Sequence, residues 1–124
     1  MATKVGRTPR VPAHHSLVLL TTAGSPRQAE KLARLLLKEK CAACVNLIPN
    51  VRSCYWWKNR IEKSRETLLL IKTSKTRLHE CARVLKNHHT YDLPEMIALS
   101  ISWGDQVYLK WLKDSMTKRK TLGR

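Results

Sequence analysis

A long β-hairpin is the feature that most constrains how this 124-residue chain folds. Two apolar arms, residues 43–57 and 61–71, are joined by a short charged bend. Asn59 lies in that bend, and asparagine tolerates the left-handed backbone conformation that tight hairpin turns require. Because proline cannot donate a ladder hydrogen bond, we expect a bulge or bend in the first arm at Pro49 and Asn50.

The length of the first arm predicts a partner chain. A straight arm at about 3.3 Å per residue would span roughly 50 Å, whereas a domain of this size is only about 35 Å across. The arm must therefore bend or protrude, and its tip carries Tyr55, Trp56 and Trp57. Soluble monomers rarely expose so large an apolar surface, so we expect another copy of the chain to cover it. The alternative is that these rings fold back onto their own core.

The length of the chain allows one domain that buries about two-thirds of its unfolded surface. Its longest aliphatic runs, residues 17–20 and 68–71, have the length of strands, so we expect no membrane span. The basic start of the chain lacks the apolar segment of a secretory signal, and we expect a cytoplasmic protein. A mitochondrial presequence is the alternative, although Pro9 and Pro12 disfavour the amphipathic helix of such a presequence.

The formal net charge is +15, and part of it lies at the two ends of the chain. We expect residues 1–13 and 117–124 to be basic disordered tails that flank one domain at residues 14–116. Such tails predict weak, non-specific binding of polyanions, and a solvated basic face explains the charge better than a dedicated nucleic-acid site. An RNA-recognition domain would need aromatic rings in its first and third strands, which residues 17–20 and 68–71 lack.

The four cysteines are expected to be reduced thiols, since no secretion signal is present in the sequence. Cys41 and Cys44 form an isolated C-x-x-C motif with no second pair at the spacing of a zinc site. We interpret Cys44 as a small core residue and Cys81 as part of a buried helix face. A redox or zinc role for the C-x-x-C motif is the alternative.

The first half of the chain predicts a strand, a helix and the hairpin. Residues 15–23 form an apolar run that is typical of a buried strand. Ser25 then predicts a helix N-cap, with Pro26 at the first helical position and Gln28 completing a capping box. The apolar residues of this helix recur at helical spacing, namely Ala29, Leu32, Ala33 and Leu36.

The second half predicts a helix, a strand and a final helix. Thr73 or Ser74 is expected to cap the first of these helices, which should end near Asn87. Its apolar residues are Leu78, Cys81, Ala82 and Leu85. Residues 97–103 alternate in the manner of a half-exposed strand. Asp105 should cap the final helix, whose expected buried residues are Tyr108, Trp111 and Leu112.

The βαββαβ order of these elements predicts a ferredoxin-like α+β sandwich. In this fold two helices cover one face of an antiparallel sheet. The chain adds an extended hairpin between its second and third strands and a C-terminal helix.

The segment at residues 88–95 gathers two imidazoles, a phenol and two carboxylates. Such a loop could bind a borderline transition metal such as copper or zinc, provided that it curls so that both histidines meet one ion. The alternative is a solvated loop in which Tyr91 packs inward while Asp92 and Glu95 accept hydrogen bonds. No motif in the sequence positions a nucleophile with a base or a phosphate loop, so we predict a protein that is not an enzyme.

Several linked motifs resemble the CutA family of divalent-cation tolerance proteins, and the resemblance covers about residues 16–115. The motifs follow one another at residues 42–46, 53–57, 71–73, 88–95 and 108–112. The resemblance implies a subunit similar to PII signalling proteins, assembled as a tight trimer through its long hairpin strands. The residues expected at the trimer interface are Val51, Tyr55, Trp56 and Trp57.

The resemblance also implies a role related to metals without an attached reaction. Bacterial members are linked to copper tolerance, and animal members to the handling and membrane anchoring of acetylcholinesterase. Copper binding in a bacterial member is ascribed to two histidines, which match His88 and His89, and to a first-strand cysteine, whose position is occupied by Thr21 here. Because a hydroxyl is a poor copper ligand, we expect weaker copper(II) binding in which Glu95 takes part.

These expectations combine into a non-enzymatic homotrimer that binds a divalent metal, such as copper, or a small ligand in clefts between subunits. The expected metal ligands are His88, His89 and Glu95. The expected ligand cleft is lined by Tyr55, Trp56, Trp57, Tyr91 and Asp92. No cofactor is expected to be required. The alternative is an assembly protein that binds a protein partner, of the kind that handles acetylcholinesterase, with metal binding incidental.

Overall fold

Four antiparallel strands form a sheet in the computed structural model, which describes residues 10–117. The strands are β1 (Ser16–Ala23), β2 (Cys44–Trp57), β3 (Arg60–Ser74) and β4 (Ile97–Ser100). The helices are α1 (Pro26–Lys38), α2 (Leu78–His88) and α3 (Gln106–Ser115), preceded by a 3₁₀ turn at Ala13–His15. The strand order β2-β3-β1-β4 is that of a ferredoxin-like sandwich, so the predicted fold class is confirmed. Residues 1–9 and 118–124, which make up most of the two predicted tails, lie outside the described residues.

The central hairpin has the turn and the irregularity that its sequence predicts. Lys58 and Asn59 join β2 to β3 with φ angles of 51° and 65°, and a two-residue hairpin turn favours such positive angles. The pairing register shifts between Ile48 and Val51, where Asn50 has a φ of 62°. This bulge is the irregularity expected from the proline in the first arm.

The core lies between the sheet and the helices α1 and α2. Alternate residues of β1 and β3 point toward these helices, and Leu69 and Ile71 are fully buried among them. The buried residues of α1 are those predicted from its periodicity, namely Ala29, Leu32, Ala33 and Leu36. The buried residues of α2 are Cys81, Val84 and Leu85. Both helices therefore cover one face of the sheet, as predicted.

The helix starts depart in part from the predictions. Ser25 caps α1 by accepting a hydrogen bond from the Gln28 amide at 3.1 Å. The Gln28 side chain does not complete a capping box, because its amide donates to the His88 carbonyl oxygen 3.1 Å away. The prediction that Thr73 or Ser74 caps α2 is wrong. Both residues belong to β3, which continues beyond its apolar run, and α2 begins only after a further turn.

The last helix also differs from its prediction in which residues it buries. Asp105 caps α3 as predicted, by accepting a hydrogen bond from the Tyr108 amide at 3.1 Å. Leu112 is buried as predicted, together with Leu109. The predicted burial of Tyr108 and Trp111 is wrong, because α3 packs through a narrower stripe and leaves both rings more than 40% exposed. Within residues 10–117, no helix has both the length and the apolar character needed to span a membrane.

The chain that precedes β1 is held against α3. Val11 is buried, and its backbone N–H and C=O pair with the Gln106 side chain at 2.8 and 3.0 Å. Val11 therefore belongs to the packed part of the molecule, although it lies within the segment predicted as a tail.

The opposite face of the sheet carries apolar side chains that α1 and α2 do not cover. Paired residues of neighbouring strands lie on the same face, so the register identifies the members of this surface. We call it the aliphatic face, and it consists of Val18, Leu20, Ile48, Leu68, Leu70, Ile97 and Leu99. Its side chains on the outer strands, Ile48, Ile97 and Leu99, are 42% to 52% exposed. Such a surface is rare on a monomer and indicates a partner.

The strand β4 is shorter and more exposed than predicted. It ends at Ser100 rather than near Trp103, whose side chain is 78% exposed. All four of its residues are exposed in the single chain, because β4 is an edge strand whose Ile97 and Leu99 lie on the aliphatic face. The expected half-burial of this strand is therefore wrong for the isolated subunit.

Two adjacent leucines of α1 provide a test of the described core. Leu36 is fully buried, whereas Leu37 is 43% exposed. The replacement Leu36→Ala removes buried methyl groups and leaves a cavity, so we expect the free energy of unfolding to fall by about 2–5 kcal/mol. The matched control Leu37→Ala should lower it by less than about 1 kcal/mol. Urea unfolding followed by circular dichroism measures both changes, and equal losses would contradict this packing.

Candidate ligand-binding cleft

The segment that connects α2 to β4 folds back onto the end of β1. The His89 imidazole lies between two backbone groups: its Nε2 is 2.7 Å from the Thr22 carbonyl oxygen, and its Nδ1 accepts the Tyr91 amide hydrogen at 3.0 Å. Because Nδ1 is the acceptor, the proton of the neutral ring lies on Nε2, which donates to Thr22. The rings of His89 and Tyr91 also pack with centroids 4.8 Å apart. His89 therefore positions the connecting segment.

The side chain of Tyr91 reaches from this segment to the hairpin. Its hydroxyl donates to Glu66 Oε2 at 2.8 Å, and Glu66 is only 8% exposed. Gly24 leaves room for the phenol, since a Cβ there would approach the Tyr91 hydroxyl oxygen to 3.3 Å. Burial of the phenol, its hydrogen bond to Glu66 and the nearby carboxylate charge raise the pKa of Tyr91 above its ordinary value of about 10. Tyr91 thus remains a neutral donor to Glu66 at physiological pH.

A cleft of about 730 Å³ opens between this connecting segment and the hairpin. Its aromatic lining consists of Tyr55, Trp56, Trp57 and Tyr91. Its acidic lining consists of Glu66, Asp92 and Glu95. The lining is completed by Thr22, Ser53, Cys54, Thr90 and Leu93. None of these described lining residues is a lysine, an arginine or a histidine.

The hairpin ladder explains how the acid and the rings come to share the cleft. Glu66 pairs with Val51, so the two side chains lie on the same face of the hairpin. Tyr55 and Trp57 lie at alternate positions from Val51 and share this face. Trp56 projects from the opposite face of β2 and is 72% exposed at the tip.

The structure brings together the residues that the sequence predicted for a ligand cleft. All five of them line it, namely Tyr55, Trp56, Trp57, Tyr91 and Asp92. Glu95, predicted as a metal ligand, lines the same cleft, whereas His88 and His89 do not. The binding roles of these residues stay predictions.

The three predicted metal ligands do not form a cluster in the described part of the chain. Within residues 10–117, no group of three or more His, Cys, Asp or Glu side chains is placed to hold a metal ion. Both ring nitrogens of His89 already make hydrogen bonds, and His88 is exposed at the end of α2. Thr21, at the position of the family's cysteine, is fully buried with an unpaired hydroxyl. Metal binding by His88, His89 and Glu95 stays a prediction, and it requires His89 to release a backbone partner.

Glu66 is the cleft residue that the sequence analysis missed. It stands at the charged edge of the apolar run at residues 67–71, where a solvated strand end is the usual interpretation. The strand pairing of the hairpin could have identified Glu66 as a cleft residue. Counting back from the two-residue turn places Glu66 opposite Val51 and hence on the face of Tyr55.

The C-x-x-C motif does not form a shared site in the described chain. Cys41 is fully buried, but Cys44 is only half buried and pairs with Lys72 on the sheet face away from α1 and α2, so its interpretation as a core residue is wrong. Cys41 is instead a neighbour of Cys81, whose thiol donates to the Cys41 carbonyl oxygen at 2.8 Å. Contact with Cys81 and burial raise the pKa of the Cys41 thiol, which makes it a poor nucleophile.

The fold and the cleft together define a class of protein: a ferredoxin-like α+β subunit with an aromatic and acidic cleft and exposed apolar surfaces. Sequence comparison narrows this class. The sequence model of the family described as CutA1 divalent ion tolerance protein matches residues 17–115. The chain therefore belongs to the CutA1 family of divalent ion tolerance proteins.

Individual relatives agree with this membership. Protein CutA 1, chloroplastic, of Oryza sativa subsp. japonica is 41% identical over 100 residues, which cover 81% of this chain and 56% of the relative. Divalent-cation tolerance protein CutA of Pectobacterium atrosepticum is 39% identical over 105 residues, covering 85% of this chain and 96% of the relative. This chain thus spans about half the length of the plant relatives it matches, which include a second chloroplastic CutA from Arabidopsis thaliana.

Solved structures show the same similarity. The crystal structure of CutA1 from Oryza sativa superposes with a TM-score of 0.80 at 39% identity, covering 84% of this chain and 95% of that one. The structure of CutA from Synechococcus elongatus superposes with a TM-score of 0.82 at 29% identity, covering 89% and 97%.

The hydrogen bond between Tyr91 and Glu66 predicts a pH effect on stability. Because folding raises the pKa of Tyr91, the unfolded chain loses this phenolic proton first, and the free energy of unfolding should fall as the pH rises above about 10. The replacement Tyr91→Phe should remove the part of this fall in the free energy of unfolding that comes from Tyr91. It should also lower the free energy of unfolding at neutral pH by about 1–3 kcal/mol, because Glu66 loses its hydrogen-bond donor. Urea unfolding at neutral and alkaline pH measures both effects. The control Tyr108→Phe should keep the decline, and an unchanged decline in Tyr91→Phe would contradict the assignment.

Proposed function

We propose that this chain is a non-enzymatic homotrimeric binding protein, related to the tolerance of divalent metals such as copper, that binds a metal ion or a small ligand in clefts between subunits. The observation that carries the proposal is that the cleft and the aliphatic face lie on the same side of the sheet. Glu66 and Leu68 are alternate residues of β3 and project to the same side. A second copy that covers Leu68 and its aliphatic neighbours therefore borders the cleft of the first.

Exposed apolar groups and free strand edges support association between copies. Trp56 and Ile61 are cross-strand partners near the hairpin tip and are 72% and 64% exposed. β2 and β4 form the two edges of the described sheet, and unpaired edges invite pairing with another chain. Identical copies satisfy such surfaces in a closed, symmetric assembly, and the trimer is the closed assembly that the family resemblance implies.

The carboxylates of the cleft support a cationic ligand. Glu66, Asp92 and Glu95 line it, and although they form no ready-made metal-binding group within residues 10–117, carboxylate oxygens attract cations and are common ligands of divalent ones. The bacterial relatives are named divalent-cation tolerance proteins, which describes those proteins and makes a divalent cation the first candidate here.

The lining of the cleft favours binding over catalysis. Cys54 is a lining residue with a thiol that could act as a nucleophile. None of the other described lining residues is a histidine that could accept the proton of that thiol. The compartment in which the protein acts stays a prediction, with the cytoplasm expected and mitochondria as the alternative.

A protein-assembly role is the second candidate, and the surface around α3 favours it. Trp103 and Val107 are each 78% exposed, and Tyr108 and Trp111 are exposed nearby in sequence. Exposed aromatic groups of this kind are typical of protein interfaces. In this alternative the partner is a protein, such as acetylcholinesterase in the animal members of the family, and metal binding is incidental.

The association of subunits can be tested on the aliphatic face. Leu99 is 52% exposed, so Leu99→Lys should scarcely affect the folding of one chain but should disrupt a trimer by placing a charge in its apolar interface. We expect light scattering to give the mass of a trimer for the unmodified protein and a lower mass for Leu99→Lys. The matched control Leu37→Lys changes an exposed leucine of α1, on the other side of the sheet, and should remain trimeric. A monomer before any substitution would refute the assembly.

Metal binding can be tested with two pairs of adjacent histidines. The double replacement His88→Ala/His89→Ala should reduce copper(II) affinity by about 10-fold or more while the trimer persists, because imidazole is a strong copper ligand. The matched control His14→Ala/His15→Ala removes an exposed pair before β1 and should leave the affinity unchanged. Isothermal titration calorimetry measures the affinity, and equal affinities in the two double variants would rule out the assignment.

A further inference from the structure

We propose that the cleft between the hairpin and the residue 89–95 segment binds a small organic ammonium ion, with its charge beside the carboxylates and its alkyl groups against the aromatic rings. This inference rests on the proposed function, because it names the ligand class of the same cleft. Three features of the cleft support it, namely the sign of its charge, the burial of the Glu66 side chain and the exposure of its aromatic rings.

The charge of the cleft is opposite to that of the chain. The whole sequence carries a formal net charge of +15, yet the described lining contains three carboxylates and no basic side chain. A concave site lined by one sign of charge concentrates ligands of the opposite sign. On a protein that otherwise attracts anions, this lining selects a cation.

Glu66 forms no ion pair with a basic side chain of residues 10–117. The residue is 8% exposed, and its carboxylate accepts a hydrogen bond from the neutral Tyr91 hydroxyl. A buried carboxylate without a counter-charge is costly, and a bound cation would offset that cost. Glu66 therefore marks the position at which the ligand's positive charge is stabilised.

The aromatic rings favour an organic cation over a hydrated inorganic one. Tyr55 and Trp57 lie on the Glu66 side of the hairpin and line the cleft, and in the single chain they are 41% and 42% exposed. Aromatic faces attract cations most strongly when little water must be removed, as with alkylated ammonium groups. A divalent ion such as Mg²⁺ holds its water tightly and gains little from such rings.

The cleft is large enough to accommodate an entire small organic ammonium ion. About 730 Å³ lies within the usual range of small-molecule sites. A site of mixed aromatic and acidic lining then discriminates in two ways. Neutral molecules bind less tightly because they leave Glu66 uncompensated, and bare metal ions gain less than organic cations because they make little use of the rings.

Three probes separate these contributions. Tetramethylammonium carries both the charge and the methyl groups, tert-butanol has a similar apolar shape without charge, and potassium has the charge without methyl groups. Intrinsic tryptophan fluorescence, to which Trp56 and Trp57 contribute together with Trp103 and Trp111, reports binding of each probe, and isothermal titration calorimetry confirms it. We expect tetramethylammonium to bind at least about 10-fold more tightly than either of the other two.

Two substitutions test the role of the carboxylates. Glu66→Gln keeps the shape and can still accept the Tyr91 hydrogen bond, and we expect it to weaken tetramethylammonium binding about 10-fold or more. Asp92→Asn changes an exposed residue, so we expect the fold to persist and the affinity for tetramethylammonium to fall by about 3-fold or more. The control Glu30→Gln neutralises an exposed carboxylate on α1 and should leave binding unchanged.

Several outcomes would overturn the inference. If tert-butanol bound as tightly as tetramethylammonium, the cleft would be a purely apolar pocket. If potassium bound as tightly, the cleft would be a cation site in which the rings play no part. If both Glu66→Gln and Asp92→Asn bound tetramethylammonium with full affinity, the carboxylates would have no role in binding. Light scattering and a copper(II) titration on the same samples distinguish a failure of this inference from a failure of the proposed function. A trimer that binds copper(II) but not tetramethylammonium refutes this inference alone, whereas a monomer that binds neither refutes the proposed function as well.

Discussion

The bulge in β2 is the constraint on which the geometry of the cleft depends. Between two neighbouring ladder pairs, β2 contains two residues while β3 contains only Thr67. Since side chains alternate along a strand, the extra residue exchanges the two faces of β2 beyond that point. Without it, Trp56 rather than Tyr55 and Trp57 would lie on the face of Glu66. One local irregularity thus decides which rings lie on the side of the acid, and it brings the cleft to the same side of the sheet as the aliphatic face.

Features set by a few neighbouring residues could be predicted from the sequence. Asn59 indicated the hairpin turn and Pro49 the bulge, because each residue limits its own backbone angles or hydrogen bonds. Ser25 and Asp105 indicated helix starts, because each side chain caps an amide only three residues away. The order of these elements, together with the family motifs, was then enough to predict the sheet with its helices on one face.

Features that depend on residues far apart in the sequence could not be predicted from local patterns. Glu66 is joined to the residue 89–95 segment by Tyr91, 25 positions away, whose hydroxyl donates to it, and no local sequence pattern indicates that contact. Tyr108 and Trp111 fit the period of a buried helix face, but α3 contacts the rest of the subunit over a narrow stripe. The exposed apolar residues of β4 alternate as a half-buried strand should, yet neither α1 nor α2 covers the face on which Ile97 and Leu99 lie. A sequence pattern indicates which residues are suited to burial and does not say which surface buries them.

The contrast between a basic chain and an acidic cleft has a consequence for the kinetics of binding. A formal charge of +15 repels a small cation from a distance, whereas the lining carboxylates attract it only within roughly a Debye length, about 8 Å at physiological salt. Added salt screens the more distant repulsion first, so a cation should enter faster as ionic strength rises. Ligands steered by complementary charge show the reverse. The basic exterior therefore controls the rate of entry, while the acidic interior controls how long a cation stays.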